Sequence, residues 1–418
     1  MSRIPKRLIV VGLSVLAAFI CYIDRVNISV AIIPMQEEYG WNNTTKSLVL
    51  SSFFIGYVLF QIPSGWFATR FGGKMLLAWA VIIWSVMTFL TPLAASTSFA
   101  ALIAVRILMG AGETGAFPAS YALFGRWIPA TERSRSISAL LSGLPLGTLF
   151  ALAVTGPIIT VYGWPSIFYI FGGFGIVFAI MWVWLIYESP EEHPTISGAE
   201  RSYIKQGQEP AVEVEGTIPW KAIFSKAPVW ALIINHFCSN WTFYVLLSWL
   251  PSYFRDALNV SVTSAGLFSV APWVVMFFVT NLASWAADKM IQNGKSITFV
   301  RKLFQITGLI GAAGFLFFVT SATTPFSAVL LICGALGMLA LTWSGFGPNH
   351  LDIAPRHAGL LLGVTNTAGS LPGIIGVIVT GWLLDVTGSY DAAFLLSAAV
   401  CVFGSIVWAI FASGERQI

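Results

Sequence analysis

The chain has 418 residues, of which 57% are hydrophobic and only 10% charged, with mean hydropathy +0.81. A soluble domain carries about 25% charged residues, so a water-exposed fold cannot hide this much apolar surface. The net charge is only +4 and the basic residues form no stripe, which argues against nucleic acid as a partner.

A membrane crossing needs about 20 mostly apolar residues. That ruler predicts about twelve spans, at about 8–34, 47–69, 75–95, 99–124, 136–160, 164–187, 228–254, 262–287, 298–320, 325–347, 357–384 and 391–412. The first apolar run follows a basic start, like a signal peptide. It continues past Arg25 to about Ile33 with no small-residue cleavage site, so it is expected to be an uncleaved span. The one long polar stretch, Glu188 to Lys226, separates six spans from six. The expected organisation is an N-terminal six-helix bundle over 1–187, a cytoplasmic linker over 188–226 and a C-terminal six-helix bundle over 227–418. Within the linker, Ser197 and Glu200 have capping-box spacing and predict a short helix near 198–206, its charges forming a solvated face. Cys21, Cys238, Cys333 and Cys401 all fall in apolar runs and read as small hydrophobes.

Basic residues set the orientation. With the N-terminus inside, the inner segments hold Arg3, Lys6, Arg7, Arg70, Lys74, Arg126, Arg133, Arg135, Lys289, Lys295, Arg301, Lys302, Arg356, Arg416 and the linker's cations; the outer loops hold Lys46 and Arg255. Both termini are therefore expected in the cytoplasm, with a plasma or inner membrane as host. The loops after spans two and eight, "GWFATRFGGK" and "SWAADKMIQNGK", share Trp, Ala, a basic residue and Gly-Lys. Such a repeat is expected of a transporter built from two parallel halves. Gly65, Arg70, Asp288 and Lys289 in these loops, with Arg126 and Arg135, form the expected gating set. "GAGETG" at Gly110–Gly115 matches a dinucleotide fingerprint, but inside a span its small residues read as close helix approach.

Several stretches narrow the reading: "YIDRVNISVA" in span one, "RILMGAGETGAFP" in span four, "ERSRSISALLSG" entering span five, "NWTFYVLLSWLPSYF" in span seven and "NHLDIAPRHAGLLLGVTNTAGSLPGIIG" from span ten into eleven. Together they resemble the anion:cation symporter branch of the major facilitator superfamily, over nearly the whole chain. The resemblance implies an all-α fold of twelve transmembrane helices in two pseudo-symmetric six-helix bundles, a monomer working by alternating access. It implies Arg25 as the contact of a substrate carboxylate, and Asp24 and Glu113 as protonation sites. The chain departs from sialin-like members at Met109, where they carry a further acid, and from vesicular glutamate transporters at Ser239, where an arginine is common.

The residues give an independent argument. A charge near the bilayer centre costs about 2.5–3.5 kcal/mol on insertion scales, so Asp24, Arg25, Arg106 and Glu113 mark function. Arg106 and Glu113 share one helix face about 10 Å apart and cannot touch, so something must sit between them or reach across from another helix, and span one with Asp24 and Arg25 is the expected donor. The competing reading is a salt-bridge cluster that only fixes packing, but buried ion pairs add little net stability. A guanidinium matches a carboxylate, and protonating a neighbouring acid frees it for one. Proton and anion binding then favour each other. Tyr22, one turn before Arg25, is expected to line the cavity. In the C-terminal half, Asn240, Tyr244, Asn349 and Asn366 are candidate partners for substrate hydroxyls, with helix-to-helix bonding the alternative; His236 and His350 read as packing residues first.

The expected function is proton-coupled symport of a small organic anion such as a sugar acid, sialic acid or acidic amino acid. The alternatives are an inorganic phosphate transporter, coupled to H+ or Na+, and a non-transporting membrane receptor or scaffold. No metal, nucleophile or nucleotide motif supports an enzyme or a cofactor. The partners expected are the anion and the lipid bilayer.

Overall fold

A computed structural model describes residues 4–208 and 220–417; Arg3 lies outside them. Every regular element among the described residues is helical. Eleven segments are long and apolar enough to cross a membrane: Lys6–Tyr39, Asn43–Phe71, Gly73–Thr97, Phe99–Trp127, Ala130–Tyr162, Pro165–Leu185, Val262–Gln292, Ile297–Val319, Pro325–Ile353, Pro355–Thr387 and Asp391–Phe411. The seventh expected span is a helix of similar length, Ala227–Leu258, whose Asn235, His236 and Asn240 dilute its hydropathy. With it the all-α architecture of twelve spans is complete.

The described residues divide into two units. One runs through Ala31 and resumes from Ser52 into the linker; the other joins Ile32–Ser51 to the chain beyond the linker. In the first unit, backbone meets backbone between the second and fourth spans. A methyl group on Gly110 would strike the carbonyl oxygen of Phe53, and one on Gly56 would strike that of Ile107. This approach brings Phe53 and Tyr57 beside the first span. Gly110→Ala is therefore expected to lower the thermal unfolding midpoint of the purified protein, at an overpacking cost of about 1–3 kcal/mol. Gly173→Ala, where nothing lies within 4 Å of the added methyl, is the control expected to leave it unchanged.

The linker helix forms over Gly198–Gln206, with Ser197 accepting from the backbone N–H of Glu200 at 3.1 Å. Glu200 does not, however, belong to a solvated face. Its carboxylate accepts from the N–H groups of Lys6 (3.1 Å) and Arg7 (3.0 Å) and from the Arg7 guanidinium at 3.3 Å. The open N–H groups at the start of the first span need acceptors, and a carboxylate there meets the positive end of the helix dipole. Glu132 holds Arg7 from the other side at 2.9 Å. The loops after the second and eighth spans each contain a glycine in the left-handed region, Gly72 at φ 79° and Gly294 at φ 86°.

In the second unit, the second span starts earlier than the sequence predicts, at Asn43 rather than near 47. The cause is Asp385, which accepts from the N–H groups of Asn43 (2.9 Å) and Thr44 (2.7 Å) and from the Thr44 hydroxyl (2.6 Å). Deeper in that unit, Gln305 donates to Asn235 (3.0 Å) and Ser239 (3.2 Å) and accepts from the N–H of Phe346 (3.2 Å). Arg301 pairs with Asp352 at 2.7 Å.

Candidate functional site

The fourth span is two helices, Phe99–Glu113 and Ala116–Trp127. Glu113 is the last residue before the break, with no exposed surface. Its Oε2 is 2.8 Å from Nη2 of Arg25 and accepts from Nε of Arg25 at 2.9 Å and from the Cys21 thiol at 3.2 Å. Its other oxygen, Oε1, is buried with no hydrogen-bond partner among the described residues. One carboxylate oxygen thus carries the whole attachment.

Arg25 is boxed as well as paired. Its guanidinium lies over the rings of Tyr22 (4.6 Å), Phe53 (4.9 Å) and Tyr57 (4.9 Å), and Nη1 donates to the Tyr22 hydroxyl at 3.4 Å. A cation over aromatic faces gains about 0.5–2 kcal/mol, so the ring faces hold the charge, while the Tyr22 hydroxyl takes one of its N–H donors. Removing Glu113's claim would leave a planar fork already oriented by three rings. Such a fork accepts a carboxylate or another planar anion through paired N–H donors.

Arg106 and Glu113 do not pair. Arg106 is buried, lies 5.5 Å over the Phe53 ring, and its Nη1 contacts the Met109 sulfur at 3.1 Å; its Nε has no partner among the described residues. Asp24 is sealed from solvent and its oxygens complete no hydrogen bond among the described residues, although the Trp84 indole N–H lies near enough to act on it. The charges acting on it are those of Glu113 and Arg106. Asn27, one turn further on, is equally sealed and unpartnered. Four ionisable groups and an amide therefore share one dry region of the first unit, joined by a single ion pair.

The residues expected from the second half have other attachments. Asn240 donates to the carbonyl of Gly369 at 2.7 Å, and Asn349 donates to that of Ser413 at 2.8 Å. The first is a helix-to-helix bond of the alternative kind; the second ties Asn349 to the chain just beyond the last helix, which ends at Phe411. Tyr244 is buried against Phe243 at 5.3 Å. Asn366 is partly buried and makes no side-chain hydrogen bond among the described residues. His350 lies between the Gly347 carbonyl (2.8 Å) and the Thr365 hydroxyl (2.7 Å).

Of the gating set, Arg126 pairs with Glu188 at 2.9 Å, and Glu188 also accepts from the N–H groups of Gly73 (3.0 Å) and Lys74 (2.8 Å). Lys289 lies over the Trp285 ring at 4.9 Å. Gly65 is partly buried, and Arg70, Asp288 and Arg135 are exposed. Sequence reasoning missed Cys21, Phe53, Tyr57 and Glu188. The i, i+4 spacing of Phe53 with Tyr57 and of Cys21 with Arg25 was the available signal, and it is shared with ordinary packing.

A sequence profile described as Major Facilitator Superfamily matches residues 14–377. The chain belongs to that superfamily. Its members are membrane transporters, and the chain is accordingly a transporter rather than an enzyme. The chloroplastic ascorbate transporter of Arabidopsis thaliana is 44% identical over 415 residues, which is 99% of this chain and 76% of that protein. Sodium-dependent phosphate transport protein 1, chloroplastic, from the same plant is 43% identical over 417 residues, 100% of this chain and 81% of that protein. Human sialin is 36% identical over 435 residues, 96% of this chain and 88% of that protein. Among solved structures, the D-xylose-proton symporter superposes with a TM-score of 0.77 at 17% identity, covering 97% of this chain and 98% of that one. A bacterial Spinster homologue in an inward-facing conformation gives 0.74 at 20% identity, covering 99% and 97%. At these identities the structures share the superfamily fold.

Proposed function

We propose that this chain is a proton-coupled symporter of a small organic anion, working by alternating access. The observation that carries the reading is the attachment of Arg25: a boxed guanidinium, shut away from water, held by one oxygen of one acid. Protonating Glu113 removes the anion that competes for the fork, and a substrate carboxylate takes its place. Loading either ligand thus favours loading the other, which is the reciprocity symport needs. Asp24 is the second proton carrier, since it is sealed from solvent and makes no ion pair among the described residues. Two protons with one monovalent anion carry net charge, and membrane voltage would add about 2.3 kcal/mol per 100 mV. We place both termini in the cytoplasm, on the side where the basic residues concentrate.

The relative named as an ascorbate transporter, together with the similarity to sialin, supports an organic anion. The phosphate transporter relative favours a second reading, inorganic phosphate with sodium. Uptake into proteoliposomes separates them. Labelled ascorbate, sialate, glucuronate and phosphate are offered under an imposed pH gradient or an imposed sodium gradient. The expected result is accumulation of an organic anion driven by inward protons and indifferent to sodium. Sodium-driven phosphate uptake without a pH response would reject the first reading.

A further inference from the structure

Where the first span begins and the sixth ends, the first unit encloses a cavity of about 230 Å³ that the transport site does not use. Lys6, Ile9, Trp184, Leu185, His193 and Thr195 contribute to its wall. We propose that this cavity binds the phosphate-bearing headgroup of an anionic phospholipid in the cytoplasmic leaflet.

The position comes first. Lys6 opens the first membrane-crossing helix and Leu185 closes the sixth. Ends of such helices lie at the level of the headgroups. The lip is apolar and exposed: Trp184 shows 76% of its surface and Leu185 47%. A tryptophan at a span end is an interfacial anchor whose ring sits among headgroups and upper acyl chains. A soluble anion has no use for such a lip; a lipid does.

The floor is built for an anion. The Lys6 ammonium makes no ion pair among the described residues, because the adjacent carboxylate of Glu200 is occupied by the N–H groups of Lys6 and Arg7 and by the Arg7 guanidinium. His193 is 93% buried, with its ring tilted against that of Tyr187 at 4.8 Å and edge-on to Trp127 at 5.9 Å. Its Nδ1 accepts from the N–H of Thr195 at 3.1 Å. That bond fixes the tautomer: the proton sits on Nε2, which has no partner among the described residues. Burial, and then the Lys6 ammonium, hold the imidazole below its ordinary value against the opposing pull of Glu200, so it stays a neutral donor at pH 7. One ammonium and one imidazole N–H thus border a cavity whose rim is greasy. Basic pockets of this kind on the cytoplasmic side of helical membrane proteins recognise anionic headgroups.

The test is native mass spectrometry of the purified full chain from mixed micelles containing equal phosphatidylglycerol and phosphatidylcholine. The wild type is expected to retain phosphatidylglycerol preferentially. Lys6→Gln is expected to weaken that retention about five-fold, the usual effect of one lysine near a membrane surface, without changing phosphatidylcholine retention. His193→Gln should weaken it in the same direction. Lys6 is partly exposed and its ammonium is unpaired, so its variant should keep the wild-type unfolding midpoint in phosphatidylcholine alone, which keeps the test readable if His193→Gln does not fold. Equal retention of the two lipids by the wild type overturns the proposal, as does a Lys6→Gln variant indistinguishable from it. Millimolar inorganic phosphate that binds with the same Lys6 dependence and displaces the lipid would assign the cavity to a free anion instead, and would also overturn it. None of these outcomes bears on proton-coupled uptake, so the site and the transport reading stand or fall separately.

Discussion

Replacing Glu113 by Gln is expected to abolish proton-driven accumulation while leaving substrate exchange intact. Glutamine is nearly isosteric and keeps a carbonyl oxygen facing Arg25 and Cys21, so the packing at the fourth-span break is preserved. It cannot exchange a proton, and its weaker claim on the guanidinium leaves the fork open to substrate at every pH. A gradient of one pH unit corresponds to about 1.4 kcal/mol per proton, or about tenfold accumulation for a one-proton symporter. The variant should fall to about onefold, the level of simple equilibration, with counterflow of labelled substrate still measurable. Undiminished accumulation would remove Glu113 from coupling. Loss of exchange together with accumulation would make it a packing residue.

Replacing Arg25 by Ala should have the larger structural effect. It would leave Glu113 with no exposed surface and no ion-paired cation, and breaking one side of a buried pair costs about 3–5 kcal/mol. Little folded protein is expected. The double variant Arg25→Ala with Glu113→Gln removes the orphaned charge and should recover most of the lost unfolding midpoint, yet transport nothing. Recovery of stability without transport separates the two jobs of Arg25, as counter-ion and as anion receptor. Arg25→Lys isolates the second job further. An ammonium keeps the charge and the aromatic box but offers no planar fork, so KM should rise at least about tenfold, the worth of one charge-assisted hydrogen bond. Unchanged KM in the lysine variant would mean the substrate does not use the fork.

The spans were legible because twenty apolar residues in a row admit few other readings. The seventh is instructive. Its Asn235, His236 and Asn240 pull the hydropathy down; the two asparagines form buried helix-to-helix bonds and His236 packs against the Phe346 ring, and composition does not distinguish these from a binding surface. At the candidate site, helical spacing excluded contact between Arg106 and Glu113, and a group from the first span does meet Glu113, but among the described residues it does not bridge on to Arg106. Spacing could not choose which of Asp24 and Arg25 would meet Glu113, because periodicity fixes a face and not the rotation of one helix against another. The rings around Arg25 were hidden for a similar reason: Phe53 and Tyr57 sit at ordinary packing intervals, and only the close approach at Gly56 and Gly110 carries them to the guanidinium. Glu200 was misread because an acid on a short polar helix looks the same whether it faces water or the start of a helix 193 residues away in sequence.

The linker's two capping acids have a mechanical corollary. Glu188 closes the start of the third span, Glu200 that of the first, and the carbonyl of Gly207 takes the N–H of Ala130 at 2.8 Å. Three points of attachment splint the chain from 188 to 207 onto one body. A fluorophore or spin label on the helix Gly198–Gln206 would therefore ride with the first unit as a rigid passenger, giving distance measurements across the transport cycle a fixed origin.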